Sequence, residues 1–323
     1  MSALWRRLAL GIVIAVGIPF LAIAWSWYGP GPGAKPTTLI VREGSTLAGM
    51  TPQLIESGLI SSRRLFRTGL RLFASSDPIQ AGEFEIPAGA SAASIVDLLQ
   101  HGRPVQRLIT VTEGMPSIIV QERLAANKFL TGPTPPILEG SVLPDSYSFE
   151  RGEERSAVVE RMQAAMTRTL DQLLAKNKGN CPVSSRQEIV TLASIVEKET
   201  GKASERRMVA GVYCNRLRIG MKLDADPTVI YPITKGKPLG RRIKRSELNA
   251  MTGYNTYREP GLPQGPIANP GKESIAAVLN PAETKALYFV ADGTGGHVFA
   301  ETLEQHEANR KRWYEIRRAR GEM

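Results

Sequence analysis

No charged residue occurs between Arg7 and Lys35. The stretch from Leu8 to Tyr28 is apolar almost throughout. Roughly 20 apolar residues suffice to cross a bilayer as a helix, and basic residues stay on the cytoplasmic side. The chain is therefore expected to begin with a cytoplasmic tail (residues 1–7) and a transmembrane helix (8–28). Trp25, Trp27 and Tyr28 lie where that helix would meet the far interface, as aromatic anchors do. Ala22-Ile-Ala24 also fits an A-x-A-like cleavage pattern, so a removed signal peptide is the competing reading. The length of the run and the aromatic residues favour the anchor. Either reading puts the folded part outside the inner (plasma) membrane. Residues 29–37, opening with Gly29-Pro-Gly-Pro-Gly33, are expected as a linker.

Topology changes what the charge means. A formal net charge of +10 would ordinarily raise nucleic acid as a partner. Export removes that expectation. Basic clusters at Arg63–Arg71, Lys235–Arg245 and Arg310–Arg320 are either solvated faces or surfaces drawn to an anionic partner, such as lipid headgroups or a carboxylate-bearing polymer. Cys181 and Cys214 have no metal-ligand spacing, and an exported domain can pair them. No metal or cofactor is expected.

The exported part reads as α+β. Thr38–Arg42 is a strand, two capped helices follow, Ile79–Ile86 alternates like a second strand, and Ser91–Leu99 is a short helix. This is a small α+β module over residues 38–103. Residues 104–180 form a connecting region with an amphipathic helix from Ser156 to Lys178, and 181–323 is a mixed α+β domain.

Ser185-Arg-Gln-Glu188 is a capping box that should start a helix. Apolar residues lie on nearly all its sides, which predicts a buried helix, and it ends in Glu197 and Glu199 before Gly201. Two residues apart on a helix, these carboxylates point about 200° apart, so they cannot share a cleft. Val196 and Ile195 precede Glu199 by three and four positions, whereas Ser194 and Ala193 precede Glu197. The more apolar shelf belongs to Glu199, whose pKa should be raised the more, as a proton donor requires.

Downstream, Leu223–Tyr231, Gly253–Tyr257 and Gly261–Gly271 are Gly- and Pro-rich loops carrying aromatic, amide and hydroxyl groups. Such groups stack on sugar faces and bond hydroxyl and acetamido groups. Asn215, Asp226, Tyr231, Tyr254, Asn255, Tyr257 and Gln264 are the candidate substrate-binding residues. Ala291-Asp-Gly-Thr-Gly-Gly-His297 reads as a hairpin turn, and His297 either structures it or lines the cleft. There is no nucleophile elbow, zinc-type His pair or phosphate loop.

Ala-Ser-Ile-Val-Glu-Lys-Glu-Thr, Asn215-Arg-Leu-Arg-Ile-Gly-Met-Lys-Leu, Asp226-Pro-Thr-Val-Ile-Tyr, Tyr254-Asn-Thr-Tyr and Ala291-Asp-Gly-Thr-Gly-Gly-His297 together resemble the endolytic murein transglycosylase family, MltG or YceG-like. The 38–103 module is similar to LysM modules, which bind N-acetylglucosamine-containing glycans. The resemblance implies a membrane-anchored enzyme that cleaves the MurNAc–GlcNAc bond of nascent peptidoglycan strands without water, leaves 1,6-anhydroMurNAc ends and limits strand elongation. It implies Glu199 as the catalytic acid/base, peptidoglycan glycan strands as partner, and cell-wall synthases as a candidate partner class. Leu262-Pro-Gln-Gly265 stands where the family has Leu-Pro-Pro-Gly, and the loop before Pro144 lacks the aromatic residues of relatives. A glycan-binding scaffold without turnover and a hydrolytic muramidase, with Asp224 or Asp226 as second carboxylate, are the rival readings.

Overall fold

The computed structural model describes residues 3–176 and 179–322, with the side chains of residues 3–10, 12 and 13 outside the described set. The chain divides into two units, 1–107 and 108–323.

The first unit opens with helix α1 (Ala3–Tyr28), followed by β1 (Thr37–Val41), α2 (Leu47–Glu56), α3 (Arg63–Phe73), β2 (Gly82–Ile86) and α4 (Ala92–His101). The three helices after β1 begin where the sequence places hydroxyl caps: Thr46, Ser62 and Ser91 each accept a backbone N–H from the first turn. β1 and β2 pair antiparallel, with Leu39 opposite Phe84 and Thr37 opposite Ile86. Leu39, Val41, Phe84 and Ile86 turn inward onto Leu54, Phe66, Ile95 and Leu99.

Two N-terminal expectations change. Trp27 is only 3% exposed and belongs to this core, 5.9 Å from Phe66 and 6.1 Å from Phe73 between ring centroids. It does not face outward as an interfacial anchor, whereas Trp25 and Tyr28 are exposed. Gly69 makes room for it: a Cβ there would stand 2.3 Å from the indole. The expected linker is also tied down, through Gly31 N–H to Gly89 O (3.1 Å) and Gly89 N–H to Gly33 O (2.7 Å). The expected span of residues 8–28 falls partly on side chains outside the described set. Among the described residues, no helix is long and apolar enough to cross a membrane.

The second unit runs β3 (Arg107–Thr110, entering from the boundary), α5 (Ser117–Ala126), β4 (Ser146–Phe149), α6 (Arg155–Leu174), α7 (Arg186–Glu199), α8 (Arg206–Arg218), α9 (Asp226–Thr234), α10 (Arg245–Leu248), α11 (Lys272–Leu279), β5 (Tyr288–Ala291), β6 (His297–Ala300) and α12 (Leu303–Ala319). β3 pairs with β4, and β5 with β6. One apolar cluster lies under α5 and the start of α6; a larger one surrounds α7, α8 and α11. α6 joins them, with Met162 in the first and Met166 and Leu170 in the second. Cys181 and Cys214 form a disulfide that fastens the approach to α7 onto α8.

The hairpin read at 291–297 is present, with Ala291 opposite His297. His297 structures it, bonding Glu205 at 2.8 Å through Nδ1. The stretch from Asp226 to Tyr231, read as loop, is instead the body of α9. Pro227 misleads there because proline near a helix start lacks only an N–H that would be unpaired anyway.

Candidate active site

The acid-bearing helix is built as its sequence demands. Ser185 Oγ accepts the Glu188 N–H at 3.1 Å, and the Glu188 carboxylate accepts the N–H groups of Ser184 and Ser185 at 2.8 and 2.9 Å. These bonds hold Glu188 down at about 2. From Ile189 to Val196 every residue is buried, so α7 runs through the core and delivers its last turn to a boundary. Ser194 Oγ accepts the Ile267 N–H at 3.0 Å, fixing the Pro-rich 261–271 loop against the helix.

At that last turn the two glutamates part. The Glu197 side chain is 5% exposed, 3.3 Å from the Arg206 guanidinium, and accepts the Gly271 N–H at 2.9 Å. Arg206 also bonds Glu113 at 2.7 Å. Both oxygens of the Glu197 carboxyl are thus engaged.

Glu199 has no such company. Its Oε1 is buried with no hydrogen-bond partner among the described residues. Burial pushes its carboxyl up to about 7, and the Asp226 carboxylate pushes in the same direction. The Tyr213 hydroxyl, bonded to the carboxyl, and the Arg216 guanidinium pull part of the way back. Tyr213 comes from α8, is 1% exposed and has its own pKa raised well above normal by burial and by Glu199. Arg216 is held by the carbonyls of Leu287 (2.6 Å) and Leu223 (2.7 Å) and lies 3.7 Å from Asp224. Asp226, first residue of α9, accepts the Tyr257 hydroxyl at 2.7 Å. A carboxyl near neutrality with one unspent oxygen can give a proton to, and take one from, a bound oxygen.

Residues 39–312 match the model of the YceG-like family. The chain belongs to the YceG-like family. Its relatives include the endolytic murein transglycosylase of Bacillus subtilis strain 168, 27% identical over 84% of this chain and 83% of that protein. The endolytic murein transglycosylase of Streptococcus pneumoniae D39 is 28% identical over 85% of this chain, which spans 58% of that longer protein. Among solved structures, a yceG-like protein from Listeria monocytogenes superposes with a TM-score of 0.54 at 25% identity, covering 85% of this chain and 98% of that one.

In this YceG-like chain the other expected site residues separate into four settings. Asp226 and Tyr257 join Glu199. Tyr231 and Tyr254 pack on each other, 4.8 Å between centroids, beside a half-buried carboxyl, Glu139. Asn215 and Asn255 serve the backbone: Asn215 Nδ2 bonds the carbonyls of Thr284 and Ala286 at 2.8 and 3.1 Å, and Asn255 Nδ2 those of Leu248 and Ala250 at 3.0 and 2.8 Å. Gln264 is exposed on the 261–271 loop. A cleft of about 490 Å³ adjoins this region, lined among others by Met115, Ile119, Lys198, Pro227, Ile230 and Ile267.

Sequence reasoning missed Tyr213, Arg216 and Glu139. Tyr213 looked like one more apolar position of α8. Its signal was spacing: Tyr213 and Arg216, three apart, share a helix face. Glu139 gave no signal, since its partners Ser117, Asn269 and Tyr231 are distant in sequence.

Proposed function

We propose that this chain is a membrane-anchored endolytic lytic transglycosylase that cuts the MurNAc–GlcNAc bond of peptidoglycan strands. The observation that carries the chemistry is Glu199: a buried carboxyl at about 7 with an unpartnered oxygen, in a chain whose relatives are named endolytic murein transglycosylases. Protonated Glu199 donates to the bridging oxygen as the C1–O bond breaks and an oxocarbenium-like centre forms. The Glu199 carboxylate then takes the proton of the muramic C6 hydroxyl. The C6 oxygen closes on C1 as a 1,6-anhydro ring, and Glu199 is protonated again. No water is consumed.

Asp226 and Tyr257 border the reacting centre, and Tyr231, Tyr254 and Gln264 serve substrate farther along. Burial, helped by the neighbouring Asp226 carboxylate, keeps the acid protonated near neutrality. The 38–103 module adds glycan affinity without chemistry, in the manner of LysM modules. α1 anchors the chain in the inner membrane with the rest of the chain outside; the Cys181–Cys214 disulfide fits an oxidising compartment. Glycan strands are the partner, and strand-synthesising enzymes are the neighbours whose products it would terminate.

Mass spectrometry of glycan digested by the purified chain tests this reading. Anhydro-muramic ends, abolished in Glu199→Gln, are expected. Reducing ends would make the protein a hydrolase, and intact strands a scaffold. Deleting residues 38–103 should raise the substrate concentration needed while leaving the product unchanged.

A further inference from the structure

Helix α3 reads Arg-Arg-Leu-Phe-Arg-Thr-Gly-Leu-Arg-Leu-Phe and carries no acidic residue. At 100° per residue, Arg63, Arg67, Arg71 and Arg64 fall at about 0°, 40°, 80° and 100°, one continuous stripe. Phe66, Gly69 and Phe73, at about 300°, 240° and 280°, occupy the opposite side. Phe66 and Gly69 are buried against Trp27. All four arginines are exposed, and none has an ion-pair or side-chain hydrogen-bond partner among the described residues.

A fold does not need such a face. Four like charges along one helix repel each other, and an internal acid would cancel them. What α3 packs against on its other side indicates the partner of the stripe. α3 packs along the last turns of α1: Phe73 meets Phe20 at 6.1 Å and Tyr28 at 5.4 Å. α1 there exposes Ile18, Leu21 and Trp25 at 63%, 66% and 74%. An outward apolar helix and a neighbouring arginine row together match the interface of a bilayer, where acyl chains end and headgroup phosphates begin. The guanidinium fork binds phosphate oxygens in pairs and is more weakly hydrated than an ammonium. A soluble carboxylate polymer would use the arginines but not the apolar neighbour.

We propose that the arginine face of α3 docks on the phosphates of an anionic phospholipid surface, the surface of the bilayer that α1 enters, and so holds the N-terminal module against the membrane. This rests on the anchoring of α1 but not on the glycan chemistry.

The test uses the full chain with Thr68→Cys, a position flanking the stripe, labelled with a fluorophore. The chain is reconstituted in nanodiscs of phosphatidylcholine alone or of phosphatidylcholine with phosphatidylglycerol, each holding a headgroup-nitroxide lipid. Strong quenching is expected in the phosphatidylglycerol discs and weak quenching in the neutral ones. The docked-to-undocked ratio should fall roughly fivefold for each arginine replaced by glutamine, be largely kept when all four become lysine, and weaken in high salt. Circular dichroism of the four-glutamine variant checks that the module still folds. Equal quenching in both lipids, in a chain that resists alkaline carbonate, leaves the anchor standing and overturns the docking face. Stripping of the chain from both discs by carbonate overturns the anchor and the docking together. If the four-glutamine variant loses co-sedimentation with peptidoglycan while its quenching is unchanged, the face belongs to the polymer and the proposal is wrong.

Discussion

Glu197 and Glu199 close the same helix two residues apart, and their surroundings have opposite chemistry. One side of α7 meets Arg206 and the Gly271 N–H, and the anion there is paired and spent. The other meets Tyr213, an unfavourable Asp226 and an oxygen with no partner. Glu139 supplies a third case. It is half-buried and its pKa is raised by that burial, yet it accepts the Ser117 N–H (2.9 Å) and hydroxyl (3.1 Å) and bonds Asn269 and Tyr231. Loss of solvent is common to all three, in differing degree. The unspent acceptor is what sets Glu199 apart, because a saturated carboxyl has nothing left with which to exchange a proton.

The strongest way to break this contrast is Glu199→Gln. Activity should fall by about 10²–10⁴-fold or more, read as anhydro ends released per unit time. Stability should move the other way with pH. Glu199 has a folded pKa of about 7 against an unfolded value near 4.5, so the folded state holds the proton more tightly. Its contribution to stability is present below about 4.5 and is lost as pH rises through about 7, on the order of 1–3 kcal/mol in all. The melting temperature of Glu199→Gln relative to the parent should therefore climb between pH 5 and pH 8. A flat difference would mean that Glu199 is not a raised acid. An active Glu199→Gln would end the single-acid mechanism.

Glu197→Ala should give the converse phenotype. It strands Arg206 beside a buried surface, and breaking such a pair costs about 3–5 kcal/mol, discounted here because Arg206 keeps Glu113. Denaturant melts should show a loss of about 2–3 kcal/mol, while turnover per folded molecule stays near the parent value. A stable but inactive Glu197→Ala would reverse the roles.

Glu139→Gln replaces an acceptor oxygen by a donor facing other donors. A stability loss of about 1–3 kcal/mol is expected, with no change in product type. The smallest effect belongs to Tyr213→Phe. It removes the hydroxyl that lowers the Glu199 pKa, so the alkaline limb of kcat/KM against pH should shift to higher pH. A shift to lower pH would mean that the hydroxyl does not favour the Glu199 anion.

Much of this was open to reading in the chain itself. The Ser185–Glu188 capping box, the run of buried residues to Val196 and the Ile195–Val196 shelf are local patterns, and they set where α7 begins, that it is buried and which glutamate sits in apolar surroundings. The 291–297 hairpin and the caps of α2, α3 and α4 are equally local. The reading of Leu223–Tyr231 as loop failed at Pro227, where composition suggests a break and a place in the first turn permits a helix. The reading of Trp27 as an interfacial anchor failed because its partners, Phe66 and Phe73, lie about forty residues away. Trimming the chain to Lys35 would therefore remove a core residue.

The sequence by itself determined the periodic and capped elements, the family, and Glu199 as the glutamate on the more apolar shelf, since these depend on neighbours within a helical turn or on motifs written contiguously. Only the tertiary structure decided that Tyr213 and Asp226 flank that acid, that Glu197 and Glu139 are saturated, and that Cys181 meets Cys214. Those outcomes depend on which distant donors fold into reach of each oxygen or sulfur. A hydrogen bond or disulfide has a reach of a few ångströms in space and no fixed reach along the chain.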